Sequence, residues 1–509
     1  MKKFLIILLL NCVGLISFGQ FHERIYFNKL FNQNYASICE SIIEYDSSYY
    51  GCGMCLDSLS NIKTIVILKL SLEGDLTFWK EFRRNNTDHY AGHESSFHYI
   101  GNNYFVDGGT AGLMGHLRKI NIEGDTIWTV LYSSRLGNQL IMDHCRQLPD
   151  KGFICTGQDD YVDAYSDVVL IRTDSVGNEL WRTFYGWDTA DKGFKVLPTN
   201  DDSFIISGYT YMPGDSYSGN ALLIKTDSLG IMEWCRTPGH PDYRDGYGSV
   251  TLAPDGNFVF GYTHAVYQGP PYPVPEAYCK IKFIKFDQNG DTIWEKMYGS
   301  AFQINMLRNI ITLHDGSFVA VGYANSDTIN GPMQSWIFKI NQYGDSIWYR
   351  DYRHYDSSVL DYLYDIYETS DRGLIACGQS SRAEPGPDGI QRMWILKLDS
   401  AGCEEAGCDS TVGVKEEHGE MEARGHGGMV LWPNPASGIV DCRWPMVAGR
   451  GDCSLIIFDM YGREMMKISV PENEREIQFD VGNFPRGLYL VVFRNGSIII
   501  GSSKLVISR

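Results

Sequence analysis

Positive charge is scarce in this chain. Its 509 residues carry 44 Lys and Arg against 62 Asp and Glu, a formal charge of −18. No basic stripe interrupts the acidic balance, which argues against nucleic acid and anionic membrane surfaces as partners. Long apolar runs are lacking too. Beyond the first 19 residues no stretch suffices for a membrane helix, so no transmembrane segment is expected in the mature chain. Apolar residues rarely recur at helical spacing. There is no G-x-S-x-G, no H-E-x-x-H and no phosphate-cradling Gly loop ahead of a helix. No cofactor is expected and no catalytic residue is singled out. Carboxylates are plentiful enough for a glycosidase pair, and Arg135, Arg244, Arg353 and Arg382 are available for a sialidase-like cluster.

Glycine and aromatics are abundant. The chain has 53 Gly and 32 Tyr, and aromatics make up 13% of it. With few helical patterns, this composition predicts many short strands joined by turns, an all-β protein. The first residues read as a secretory signal. Lys2 and Lys3 precede a mostly apolar run from Phe4 to Phe18, and Ser17 and Gly19 suit a signal peptidase. Cleavage before Gln20 removes 1–19, and losing two lysines takes the charge from −18 to −20.

Export permits disulfides. Of 13 Cys, 12 remain after cleavage of the segment containing Cys12. Cys145 and Cys155 flank one turn symmetrically, and Cys442 and Cys453 flank another; both pairs are candidate disulfides. Cys39 and Cys52 are similarly placed. The alternative for each pair is that the thiols serve as small buried apolar groups. Cys403 and Cys408 are spaced to close a small loop. Cys52 and Cys55 form a lone C-x-x-C, too little for a zinc site, and Asp159 to Asp167 lacks the glycine and spacing of a calcium loop, so no metal is expected.

A repeat organises the body. LKLSLEGDLTFW ends at Trp79 and RKINIEGDTIW at Trp128. Related segments end at Trp181, Trp234, Trp294 and Trp348, and a last copy stops at Gly402. The basic residues Lys69, Lys119, Arg172, Lys225, Lys285, Lys339 and Lys397 are 50 to 60 residues apart. Each period holds four strand-like segments, as a propeller blade does. The turn Gly supplies a positive φ, and the Trp is expected to cover the seam between blades. Arg24 to Phe31 resembles the missing final strand, with Tyr26 at the Trp position. The expectation is a seven-bladed β-propeller over 20–402, closed by pairing its two ends. The units resemble propellers with tryptophan-docking or Asp-box turns, but the D-x-x-G-x-x-x-W spacing differs from both, so no activity is carried over.

Length variation falls on the loops of one face, which are rich in Tyr. Tyr161, Tyr165, Tyr209, Tyr211, Tyr217, Tyr243, Tyr247, Tyr267 and Tyr272 form a candidate binding face for glycan or protein ligands. The alternative is an ordinary solvated rim.

Residues 403–429 read as a flexible acidic linker. From Val430 alternating apolar residues resume, and 430–509 is expected to be a small β-sandwich. This segment resembles the C-terminal sorting domain of type IX secretion cargo. The resemblance lies in a PNP-x-x-G opening (Pro433, Asn434, Pro435, Gly438), a D-x-x-G-R turn (Asp459, Gly462, Arg463), a strand entry at Pro485, Gly487 and Tyr489, and a last strand from Lys504. It implies a Bacteroidetes-type source, passage through the periplasm, and the type IX secretion machinery as a partner. The expected function is binding or adhesion, secreted or at the cell surface. The alternative is an extracellular glycan-acting hydrolase on the same ring.

Overall fold

The computed structural model describes residues 25–31, 36–57, 62–83, 87–162, 165–187, 190–211, 219–239, 245–264, 280–299, 305–325, 332–355, 358–382, 391–405, 408, 430–432, 438–443, 453–459, 463–471, 476–495 and 498–507. The expected signal peptide and nearly all of the expected linker lie outside these. Among the described residues the long elements are all β-strands, and the chain divides into two compact units, Met1–Gly413 and Val414–Arg509.

The first unit is a succession of antiparallel sheets, each laid down in chain order. They cover 37–82, 89–132, 140–185, 192–236, 248–298 and 305–352. The strands Ser358–Glu368, Leu374–Arg382 and Arg392–Leu398 make the next sheet, whose outer edge is filled by Phe27–Phe31 from the other end of the unit. A single parallel bridge, Met333 to Leu360, links this sheet to the one before it. First strands pack on first strands, from Leu140–Gln147 through Lys192–Pro198, Gly248–Leu252, Asn305–Thr312 and Ser358–Glu368 to Ser37–Tyr45, and the 89–132 sheet spans the remaining gap, His98–Gly101 meeting Ser37–Tyr45 and Tyr104–Ala111 meeting Leu140–Gln147. The circuit is closed, and the unit is a propeller-like ring.

Two devices recur around the ring. The first joins each sheet to the next. The turn glycines Gly124, Gly177, Gly230, Gly290, Gly344 and Gly402 all have φ between 76° and 87°. A strand aromatic of the preceding sheet packs closely against each: Trp128 on Gly177, Trp181 on Gly230, Trp234 on Gly290, Trp294 on Gly344 and Trp348 on Gly402. A tyrosine four residues after the Trp often completes the grip. The hydroxyls of Tyr132, Tyr185, Tyr298 and Tyr352 donate to the carbonyls of Gly177, Gly230, Gly344 and Gly402 at 2.5–2.7 Å. These four tyrosines are therefore structural.

Two positions shift by one residue from expectation. Phe27, not Tyr26, stands opposite Lys397 and covers Gly74. Phe78, not Trp79, stands opposite Lys69 and covers Gly124. Except for Phe27, the covering residue sits four positions beyond the turn glycine of its own sheet, and Trp79 is five beyond Gly74, so the intervening register places Phe78 on the seam.

The second device works within a sheet. The basic residue at the end of the third strand reaches the Asp of the turn between strands one and two. These pairs are Arg172–Asp150, Lys225–Asp201 (3.1 Å), Lys285–Asp255 (2.6 Å), Lys339–Asp315 (2.8 Å) and Lys397–Asp371 (3.0 Å). In the 37–82 and 89–132 sheets the ammonium instead stands over a ring, Lys69 over Tyr50 at 5.1 Å and Lys119 over Tyr104 at 4.0 Å.

The second unit holds two sheets. Val430–Trp432, Ile439–Arg443 and Glu476–Asp480 form one; Glu464–Val470, Cys453–Asp459, Gly487–Asn495 and Ile498–Ile507 form the other. They share a core that includes Val440, Leu455, Phe479, Val491 and Leu505.

The three symmetrically spaced cysteine pairs do not form disulfides. Cys145 and Cys155 do face each other in register, yet both are free thiols, because Cys145 Sγ turns to the Ser96 carbonyl of the neighbouring sheet at 3.5 Å. Cys442 and Cys453 are free because they belong to different sheets. Cys39 and Cys52 are also free; a bulge after Cys39 sets it opposite Gly53, and the two thiols enter different cores. Cys403 and Cys408 are bonded, with their Cα atoms 5.6 Å apart.

Candidate functional site

The innermost strands share an irregularity. A β-bulge sets two residues against one and re-aims the extra side chain. Register breaks at Cys39/Ser41, Met142/His144, Gly193/Lys195, Leu307/Asn309 and Leu363/Asp365. The residues they release are Glu40, Asp143, Phe194, Arg308 and Tyr364. In the 89–132 sheet the first strand is interrupted between His89–Ala91 and His98–Gly101, and the gap supplies His93 and Glu94. Tyr247 enters just before Gly248–Leu252.

These side chains meet one another at the inner edge of the ring. Arg308 lies 2.5 Å from Glu94 Oε1 and 4.0 Å from Glu40 Oε2. Its guanidinium stands over Tyr364 at 4.7 Å and Tyr247 at 5.9 Å. Tyr247 meets Phe194 edge-on at 4.6 Å, and Phe194 meets His93 at 5.3 Å. His93 Nε2 is 3.3 Å from Asp143 Oδ1, and its Nδ1 is 3.7 Å from Glu94 Oε2. A second tier lies beside this one. Asp365 accepts from Ser95 Oγ at 2.8 Å and Asn309 Nδ2 at 2.6 Å, and Lys195 donates to Asn309 Oδ1 at 2.8 Å.

Burial sets the electrostatics. Loss of water raises the Glu40 carboxyl to about 7, against the pull of Arg308 and with the push of Glu94. The same cause raises Asp143 to about 6, His93 opposing it. Burial lowers Lys195 to about 7, helped by Arg146. Arg308 moves the other way: burial disfavours its charge, but Glu94 and Glu40 together raise its pKa. The free space among His93, Glu94, Phe194, Lys195, Tyr247 and Arg308 is so narrow that it admits about one water.

The expected tyrosine face is met only in part. Tyr217, Tyr243, Tyr267 and Tyr272 lie outside the described residues, as does the Tyr161 side chain. Tyr165 is exposed. Tyr211 and Tyr247 come together around Tyr209, at 5.1 Å and 6.2 Å. Tyr209 itself is a correction: it is 1% exposed, because Phe204–Thr210 is a strand buried on both faces. The expected arginines do not converge at the axis. Arg135 pairs with Asp167, Arg353 with Gln334, and Arg382 stacks on Tyr355, while Arg244 lies outside the described residues. Sequence reading missed Glu40, His93, Glu94, Asp143 and Arg308. The available signal was a charged residue among apolar neighbours in three first strands: SICESII, LIMDHCR and NMLRNII.

In the second unit, the motif residues within the described set brace the sheet. Asp459 accepts from the Arg463 backbone at 3.0 Å and from its Nε at 2.6 Å, closing the turn. Tyr489, opposite Asp459 in register, donates its hydroxyl to the Pro485 carbonyl at 2.8 Å. The Gly438 carbonyl accepts from Val481 N at 3.0 Å, and Gly487 stands opposite Ile507. Lys504 pairs through its backbone with Leu490. Pro433, Asn434, Pro435 and Gly462 lie outside the described residues.

Comparison with known proteins bears on the two units differently. Residues 430–508 match the family model described as "Secretion system C-terminal sorting domain". No curated protein matches the chain. Among solved structures, the chain is similar to the alpha-L-arabinanase of Penicillium chrysogenum complexed with arabinobiose, at 11% identity and TM-score 0.38, over 74% of this chain and 97% of that one. It is similar to Drosophila Plexin A in complex with Semaphorin 1b, at 8% identity and TM-score 0.41, over 74% and 88%. It is also similar to the β-propeller domain of the Trilobed protease from Pyrococcus furiosus, at 8% identity and TM-score 0.41, over 73% and 94%. Residues 430–508 are a type IX secretion C-terminal sorting domain, carried by an all-β chain whose other unit is a propeller-like ring.

Proposed function

We propose that this protein is an export cargo whose seven-bladed propeller binds a glycan or protein ligand at the cell surface or in the medium. In this reading the signal at 1–19 takes the chain to the periplasm, and the second unit, a small sandwich, takes it across the outer membrane. The linker at 403–429 separates the two. The sorting-domain match carries the export half. The narrowness of the axis carries the binding half. Arg308 is clamped on Glu94, and the remaining space takes a water but not a sugar ring, so a ligand would bind on the loops and not inside the ring. The mature chain from Gln20, applied to glycan and surface-protein arrays, tests this; silence on both sinks it.

One observation favours the hydrolase, which would require the axis to open to admit a sugar. Glu40 and Glu94 each offer an oxygen within 4.8 Å of the other, and Glu40 is raised to about 7, as suits a general acid. Release of reducing sugar from a polysaccharide panel, lost in Glu40→Gln and Glu94→Gln, would support that reading over the first.

A further inference from the structure

We propose that Glu40, His93 and Glu94 bind one divalent cation of the zinc class at the inner edge of the ring. The three residues come from two different sheets and each offers one ligand atom, all within 4.8 Å of one another. Two features go beyond a gathering of acids. First, Glu40 is 8% exposed, and its Oε2 has no hydrogen-bond partner among the described residues. Arg308, at 4.0 Å, is too far to serve. A buried carboxylate oxygen left in this state is costly unless something positive meets it. Second, His93 is arranged as a ligand. Its Nε2 sits 3.3 Å from Asp143 Oδ1, which favours the proton on that nitrogen and leaves the Nδ1 lone pair free. In that tautomer Nδ1 faces Glu94 Oε2 across 3.7 Å with no proton between them. Two acceptors so placed repel unless a proton or a metal ion lies between them, and a metal ion would also meet the unpartnered Glu40 oxygen.

The geometry selects the class. Ligands about 2.1 Å from a tetrahedral ion stand about 3.4 Å apart, against 3.7 Å between His93 Nδ1 and Glu94 Oε2, with the Glu40 oxygen within 4.8 Å of its fellow ligands. An imidazole with two carboxylates suits a borderline metal better than calcium, which takes more oxygens at longer range. Arg308 meets Glu94 at the other oxygen, Oε1, 2.5 Å away, and stays 4.0 Å from Glu40 Oε2. His93 is 33% exposed in its side chain and gives the ion a way in. Asp143 is then a positioning residue that orients His93.

The test is calorimetric titration of the chelator-stripped mature chain with Zn²⁺, and in parallel with Ca²⁺. One Zn²⁺ per chain is expected, bound at least tenfold more weakly by His93→Gln and Glu40→Gln. Asp143→Asn should weaken it by about 10–100-fold. Zn²⁺ should raise the melting temperature of the wild type and not of His93→Gln. Absence of stoichiometric Zn²⁺ binding overturns the proposal. So does wild-type affinity in His93→Gln, which would place the ion on other histidines, and so does tighter binding of Ca²⁺. If His93→Gln does not melt cooperatively, Asp143→Asn decides: unchanged Zn²⁺ affinity there also overturns it.

Discussion

The buried ammonium of Lys225 shows what a single residue contributes to this ring. It is wholly buried, yet it has two carboxylates, Asp201 at 3.1 Å and Glu233 at 2.9 Å. Removing both acids would strand a buried charge, and breaking a buried pair from one side costs about 3–5 kcal/mol. Replacing the lysine by an apolar side chain of similar length removes the charge with its desolvation penalty. The Asp201→Ala/Glu233→Ala variant should therefore lose about 3 kcal/mol in urea unfolding, and Lys225→Met much less. The acids also report on pH. Burial works to raise Asp201 and Asp315, but the Thr199 or Ser317 hydroxyl and the partner lysine outweigh it and hold each carboxyl at about 2. Their folded values lie below the unfolded value near 3.8. The stability they contribute is thus full above about pH 4 and is lost as pH falls toward 2. Melting curves should show that loss in the wild type and a flatter profile in Asp201→Asn/Asp315→Asn; equal slopes would dismiss these pairs as the cause.

At the scale of the strand, the seam grip is the unit of construction, and it was largely legible in the sequence. A Gly that needs positive φ and an aromatic four residues later repeat with every period, so spacing alone exposes them. Trp294 shows the physical content: its ring lies on Gly344, and its Nε1 donates to the Gln342 carbonyl at 3.2 Å. Trp294→Ala should cost about 3 kcal/mol, somewhat less than for a fully buried Trp because this one keeps an exposed edge. Gly344→Ala should also destabilise, since it asks an L-residue to take φ 82° with a Cβ 2.8 Å from that ring. Thermal melts of the two variants check this; a neutral Gly344→Ala would argue against the grip. The bulge residues were not legible in the same way. Equivalent positions hold Glu40, Asp143, Phe194, Arg308 and Tyr364, so comparison of the repeats averages them away. A bulge is a fact of register between two strands, and one strand's sequence does not announce it. The disulfide expectation failed for a related reason. Symmetric spacing about a turn brought Cys145 opposite Cys155, but sequence does not fix which way a thiol turns.

Over the whole molecule, two closures decide what the chain can become. The ring is closed by Phe27–Phe31, which reproduces the seam grip in detail. Phe27 covers Gly74, and Lys29, two residues on, pairs with Asp75 at 2.8 Å, just as Lys80 pairs with Asp125 and Lys296 with Asp345. Deleting 20–31 would bare both the edge of Arg392–Leu398 and the Gly74 turn. The variant should melt at least several degrees lower and tend to associate through the open edge, and unchanged melting would dissociate the terminal strand from ring stability. The second unit answers to a different demand. It has its own core, built from its own two sheets. Removing 430–509 should then leave the ring folded, with the melting temperature of the first unit unchanged, but without the domain that marks it for type IX export. Fractionation of the native host expressing the truncated chain should find it in the periplasm and not outside the cell. The truncated chain in the medium at the full-length level, without lysis, would mean that the ring carries an export signal of its own.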